Sequence, residues 1–308
     1  MKRVAPLLVA LLLLIACDGG SSPDSAGTLT IVVNAPFSKA PYIGDTIFRG
    51  VDLAIDQVNA AGGVVLGDRS YTLRAEKMDN ALSPQKALDN VRAAVASGAV
   101  AVVDEGTGIE GSWSVANDAD IPIGIVYQGG EQLVDPQAKP NVFRITPTDH
   151  GIAYRFAEYL GLKKLKVAFI HDDSDYGEQG KVAFDDAFGR VPEMIAADIS
   201  VPATAPDVSA QVLEARQSKA TGLLVWARSS VVAEIVRATR SSGWDVPIYT
   251  APTGEDPLVR QQLSDHPEWV DGLTFASGRM TAEKGPAPWM AFQTAYEQAY
   301  GQDEVGVK

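Results

Sequence analysis

The amino-acid sequence predicts an α/β protein built as two similar three-layer lobes, each around a mainly parallel sheet. Short β-branched runs alternate with helically spaced segments along most of its length. Repetition of that kind sends successive strands in one direction with helices on both faces. The rhythm restarts after Pro147, which divides it into two sets. A chain of 308 residues, 46% hydrophobic and 21% charged, has the material for two globular domains.

The first set opens with an apolar strand at 29–34. Ile47, Val51, Ile55 and Val58 then recur at helical spacing, and Gly62-Gly63 stops that helix. Residues 71–76 alternate like a strand. Ser83 and Pro84 supply a cap and a first-turn proline before Ala87, Leu88, Val91 and Val95, with Gly98 just past the end. Strands are expected at 99–103 and 121–126. In the second set, helix 149–160 leads to strand 167–171 and helix 178–188 to a strand near 195–201. Pro206-Asp207 opens the next helix, and strand 223–226, helix 231–240 and strand 248–250 follow. Residues 287–300 read as an amphipathic helix.

The start of the chain reads as a leader. Lys2 and Arg3 precede an apolar run, 4–15, that closes in Leu14-Ile15-Ala16-Cys17. The run is too short to span a bilayer comfortably and has the form of a secretory signal. Its ending, "LIAC", resembles a bacterial lipobox, which implies cleavage before Cys17 and a lipid on that thiol. An ordinary signal peptide with an incidental cysteine is the plainer alternative. Residues 18–27 read as a flexible polar tether, so the division expected here is 1–16 signal peptide, 17–27 tether, then the lobes. The protein is expected outside the cytoplasmic membrane and anchored to it.

Composition excludes several functions. A net charge of −13 makes a nucleic-acid backbone an improbable partner. Three histidines and one cysteine offer little for a zinc site or a disulfide framework, and no cofactor is expected. No G-x-S-x-G motif occurs, since "GSWSV" at 111–115 lacks the final glycine. The His171-Asp172-Asp173 cluster is the most catalytic-looking group, and it reads as structural at a strand end. No catalytic residue is nominated.

One motif asks for a ligand. "VVDEGTGIEGS" at 102–112 ends an apolar run and contains G-x-G-x-x-G. A dinucleotide site needs an acid at the tip of the next strand to hold a ribose, but that strand ends in Tyr127-Gln128-Gly129. Asp104 and Glu105 would also repel a pyrophosphate. The turn suits a smaller anion better: Gly106-Thr107-Gly108 can expose backbone N–H groups and place the Thr107 hydroxyl beside a helix start.

Three ordered segments carry a resemblance. "PYIGDTIFRGVDLAIDQVNAAGGV" (41–64), "VFRITPTDHG" (142–151) and "KVAFIHDDSDYGEQG" (166–180) resemble the branched-chain amino-acid-binding family of type 1 periplasmic solute-binding proteins. The resemblance runs from about Leu29 to Tyr300. It implies a first lobe at 28–147 and a second at 148–272, hinged and closing on a small ligand delivered to an ABC permease by a monomeric, lipid-anchored binder. It also implies that 273–308 returns to the first lobe, and that segment is short for the task. A receptor lobe serving a signalling partner would share the fold.

Residue by residue, the resemblance implies that Gly106 and Thr107 hold a ligand carboxylate, with Tyr127, Gln128 and Gly129 adding contacts from the next loop. Tyr42 matches an aromatic at the first helix, and Tyr176 the tyrosine of the second lobe's "YG" turn. Two positions depart from the family pattern. Thr253 stands where amino-acid binders keep an acid facing the ligand ammonium, unless Glu255 or Asp256 takes over. Arg228 stands where a tyrosine or small residue is usual, and its guanidinium is a forked donor for carboxylates. A lost anion and a gained cation suggest an organic acid, aromatic or dicarboxylic given Tyr42, Tyr127 and Trp226 nearby.

Overall fold

The computed structural model describes residues 24–277 and 286–301. The expected signal segment, Cys17 and most of the tether lie outside them. Among the described residues no helix is long and apolar enough to cross a membrane.

The first lobe is a six-stranded sheet in the order β2-β3-β1-β4-β5-β6. These strands are β1 (Asp24–Ala35), β2 (Val64–Leu66), β3 (Arg69–Asp79), β4 (Ala101–Asp104), β5 (Ile123–Ile125) and β6 (Val142–Arg144). All neighbours run parallel except the β2–β3 hairpin. Helices α1 (Pro41–Ala60), α2 (Pro84–Ala96) and α3 (Ile109–Asp118) connect and cover it. The Ser83 hydroxyl accepts from the Lys86 amide, as the cap predicted there should. Strand β1 begins earlier than expected. Asp24 already pairs with Arg69, so the end of the expected tether is sheet.

The second lobe is a parallel five-stranded sheet in the order β11-β10-β9-β7-β8. Its strands are β7 (Val167–Asp172), β8 (Ile195–Val201), β9 (Gly222–Trp226), β10 (Ile248–Thr250) and β11 (Thr274–Phe275). Strands β7 and β9 are buried along their whole length, as a sheet covered on both faces requires. Alternate residues serve opposite layers. Ala168 and Ile170 pack with α6 (Ser209–Gln217), α7 (Ser229–Ser241) and α8 (Pro257–Gln262), while Val167 and Phe169 pack with α4 (Asp149–Leu162) and α5 (Asp175–Phe188).

The chain crosses between lobes from β6 to α4 through residues 145–148. It returns after β11, and α9 (Ala287–Tyr300) packs on α1, where the Tyr300 hydroxyl lies 3.2 Å from the Arg49 carbonyl and 3.3 Å from an Asp52 carboxylate oxygen. The return begins slightly later than expected, because β11 still belongs to the second sheet.

Both sheets reverse their winding at the centre: between β1 and β4 in the first lobe, between β7 and β9 in the second. The carboxyl ends of strands at such points leave a crevice where ligands bind. Tyr42 follows β1, Thr107 follows β4, Tyr176 follows β7 and Arg228 follows β9. The topology therefore turns residues from four separate stretches of sequence toward one place.

Candidate functional site

A cleft between the lobes is lined by Tyr42, Thr107, Tyr127, Gln128, Tyr176, Arg228 and Thr253, seven of the nine residues nominated from sequence. Lys39, Glu105, Asp175 and Ser229 also line it. Gly106 and Gly129 do not. A Cβ on Gly106 would sit 2.5 Å from the Gln128 Cβ, and its φ of +123° is a conformation for glycine, so its task is close packing of two loops. A Cβ on Gly129 would meet an Asp149 carboxylate oxygen at 2.5 Å, at the crossing between lobes.

The glycine loop is occupied by its own side chains. The Gly106 amide donates to Asp104 Oδ1 at 2.6 Å, and the Thr107 amide to Glu105 Oε1 at 3.1 Å. These bonds use the N–H groups that the sequence reading reserved for an external carboxylate, and Thr107 is left with its hydroxyl. Gln128 Nε2 lies 3.2 Å from both that hydroxyl and Glu105 Oε2, and Asn80 donates to Glu105 Oε1 at 3.1 Å. Burial, reinforced by the neighbouring Glu105 charge, pushes Asp104 up to about 8. Burial also raises Glu105, against the hydrogen bonds it accepts.

The second lobe's wall is organised by Asp172. Its Oδ1 accepts from the Ser174 amide at 3.2 Å and from the Ser174 hydroxyl, while its Oδ2 accepts from the Arg228 amide at 2.6 Å. One buried carboxylate thus ties together the starts of α5 and α7. Ser174 in turn caps α5 by accepting from the Gly177 amide at 3.2 Å, which fixes Tyr176 in the helix's first turn. His171 stacks on Phe169 behind this wall and does not line the cleft. Trp226 does not either: it is 1% exposed, a core residue with its indole under Gly180.

The Thr253 hydroxyl donates to the Ala227 carbonyl at 2.7 Å, pinning its turn to the end of β9. Glu255 turns to the Ser277 hydroxyl, 2.9 Å away. Asp256 is the acid that reaches the cleft wall. Its Oδ2 accepts from Ser229 and, at 3.4 Å, from the Tyr127 hydroxyl. Burial pushes Asp256 up to about 6, against the hydroxyls that stabilise its charge.

The lobes are shut across this cluster. The Tyr42 hydroxyl of the first lobe lies 2.9 Å from Ser229 of the second, and Gln179 of the second donates to Gln128 of the first at 3.2 Å. Burial raises the Tyr42 hydroxyl well above its usual value, so it remains a neutral donor at any physiological pH. The arrangement closes non-covalently on whatever it holds, with aromatic rings, hydroxyls and charges of both signs facing inward.

A family model described as "Periplasmic binding protein" matches residues 28–306. The chain belongs to that family. Among curated relatives, the Leu/Ile/Val-binding protein homolog 7 of Brucella suis biovar 1 is 27% identical over 187 residues, covering 57% of this chain and 45% of the relative. The homolog 8 of Brucella abortus is 26% identical over 191 residues, covering 58% and 46%. The chain matches less than half the length of these relatives. The fold recurs in a type 1 periplasmic binding protein from Bordetella pertussis (TM-score 0.80, 21% identity, covering 90% of this chain and 75% of the other). It recurs also in the branched-chain amino acid transporter substrate-binding protein LivJ of Streptococcus pneumoniae, in complex with isoleucine (TM-score 0.77, 24% identity, 89% and 78%). A solute-binding protein from R. palustris in complex with 4-hydroxybenzoate shares it as well (TM-score 0.74, 15% identity, 91% and 76%). All of these relatives carry names of binding proteins or their homologues.

Proposed function

We propose that this periplasmic binding protein captures a small carboxylate-bearing solute between its lobes and presents it to an ABC importer. The observation that carries the reading is the convergence of Tyr42, Thr107, Tyr127, Gln128, Tyr176 and Arg228 on one cleft whose walls are hydrogen-bonded across the lobes. The relatives support it, since the ligands named with them, isoleucine and 4-hydroxybenzoate, both carry a carboxylate. The first lobe offers the Thr107 hydroxyl, and the second swings in Tyr176 and Arg228. A ligand drives closure only through its greater affinity for the closed form.

The test is thermal unfolding of the chain from Asp18 onward against amino acids and small organic acids. A true ligand at a hundred times its dissociation constant adds about 2.7 kcal/mol of stability, a shift of several degrees. A cooperative melt that no carboxylate moves would sink the reading.

Anchoring is part of the same proposal. Cys17 follows a signal-like run and precedes a polar tether, so the thiol is placed for lipidation. Cys17→Ser is expected to abolish incorporation of labelled fatty acid into the expressed protein. Labelling that survives the substitution, or none in the parent, would remove the anchor from the proposal.

A further inference from the structure

Two cations that have no partner among the described residues line the cleft. Lys39 precedes α1 on the first lobe, and Arg228 precedes α7 on the second. Neither side chain makes a hydrogen bond or ion pair among the described residues, although the protein carries a net charge of −13 and pairs many of its other cations. The Arg228 backbone amide is fixed by Asp172, so the start of its side chain is held while the guanidinium stays free. The charge faces inward, close enough to Tyr42 to favour ionisation of that hydroxyl against the burial that opposes it.

The acids nearby do not answer these cations. Glu105 is held by Asn80, the Thr107 amide and Gln128, and Asp256 by Ser229 and Tyr127. Asp175 is exposed in the first turn of α5, where the helix dipole suits it. Closing the lobes places one cation from each side on the same cleft. A ligand with one carboxylate can pair with one of them, whereas a ligand with two forms two attractive pairs that exist together only in the closed form, and such a difference between states selects a ligand.

We propose that the cleft takes a small molecule bearing two carboxylates, one met by Lys39 and the other by Arg228. This deepens the solute-capture reading and rests on it. The recognised chemistry is the pair of carboxylates.

Isothermal titration of the purified protein separates the possibilities. The probes are L-glutamate beside L-glutamine, L-aspartate beside L-asparagine, and glutarate and succinate beside valerate and butyrate. At least one diacid is expected to bind roughly 10- to 100-fold more tightly than its partner, the worth of a charge-assisted pair. Arg228→Gln and, separately, Lys39→Gln are each expected to erase most of that ratio. Reading a ratio within each variant keeps the test valid if a substitution also lowers stability, and Lys39 lies on an exposed turn where folding is little affected. Equal binding of diacid and partner, or a ratio that survives both substitutions, overturns the inference while leaving solute capture standing. A folded protein that binds no acid of either kind overturns both.

Discussion

Gly177→Ala is expected to destabilise the protein by on the order of 3 kcal/mol or more and to abolish ligand binding, although it adds a single methyl group. A Cβ at this position would lie 1.9 Å from the Asp172 carbonyl oxygen and 2.4 Å from its Oδ1. Neither atom can yield cheaply. The carbonyl ends a fully buried strand, and the carboxylate holds Ser174 and the Arg228 amide. Relief requires the start of α5 to lift away from β7, which breaks the Ser174 cap and carries Tyr176 out of the cleft wall. Gly111→Ala is the matched control. That glycine lies inside α3 with nothing within 4 Å of the added Cβ, so the substitution should gain about 0.5–1 kcal/mol from helix propensity. Urea midpoints of the two variants measured side by side check the argument. Equal, small effects would mean that the α5–β7 junction has slack the structure does not show.

Much of this was legible in the sequence, for definite reasons. Strands such as 167–172 and 222–226 read clearly because both faces are covered, leaving unbroken apolar runs. The β2–β3 hairpin went unread because β2 has only three residues, yet Gly67-Asp68 between Leu66 and Arg69 is a two-residue turn signal that could have found it. The glycine loop was read as an open cradle because sequence shows where N–H groups can point, not what fills them. A signal existed there too: acids two residues ahead of Gly106 and Thr107 are placed to fold back on those amides, as Asp104 and Glu105 do. Asp256 entered only as an alternative, because its place beside Tyr127 and Ser229 depends on a turn and a helix start that periodicity does not reveal. Lys39 gave no signal at all. A lysine on a turn acquires meaning only when the opposite lobe supplies Arg228.

The protein is expected to gain stability as the pH falls from 8 to about 5, the reverse of the usual acid response. Folding pushes Asp104 up to about 8, Asp149 to about 7 and Asp256 to about 6, from an ordinary 3.8, in each case mainly by burial. A carboxylate raised by folding binds its proton more tightly in the native state. The cost of holding it ionised is therefore present above the native value and disappears as the pH drops through it. Between pH 6 and 5 Asp104 and Asp149 are protonated natively and Asp256 at least half so, about 2.5 more protons than the unfolded chain binds, and the slope there is about 3 kcal/mol per unit. The gain ends near pH 4, where carboxylates lowered by folding, Asp79 and Asp265 among them, begin to lose their hydrogen bonds. Asp149 gives the sharpest test. It starts α4 at the crossing between lobes, its Oδ2 is buried with no hydrogen-bond partner, and Arg144 only partly offsets the burial while Glu131 adds to it. Asp149→Asn removes the charge and keeps the shape, so it should stabilise the protein by on the order of 4 kcal/mol at pH 8 and by less than half of that at pH 5. Its melting temperature should accordingly vary less with pH than that of the parent. A parent protein whose melting temperature rises from pH 5 to pH 8 would mean that these acids stay ionised at little cost, and that the cleft and the crossing are better hydrated than their geometry implies.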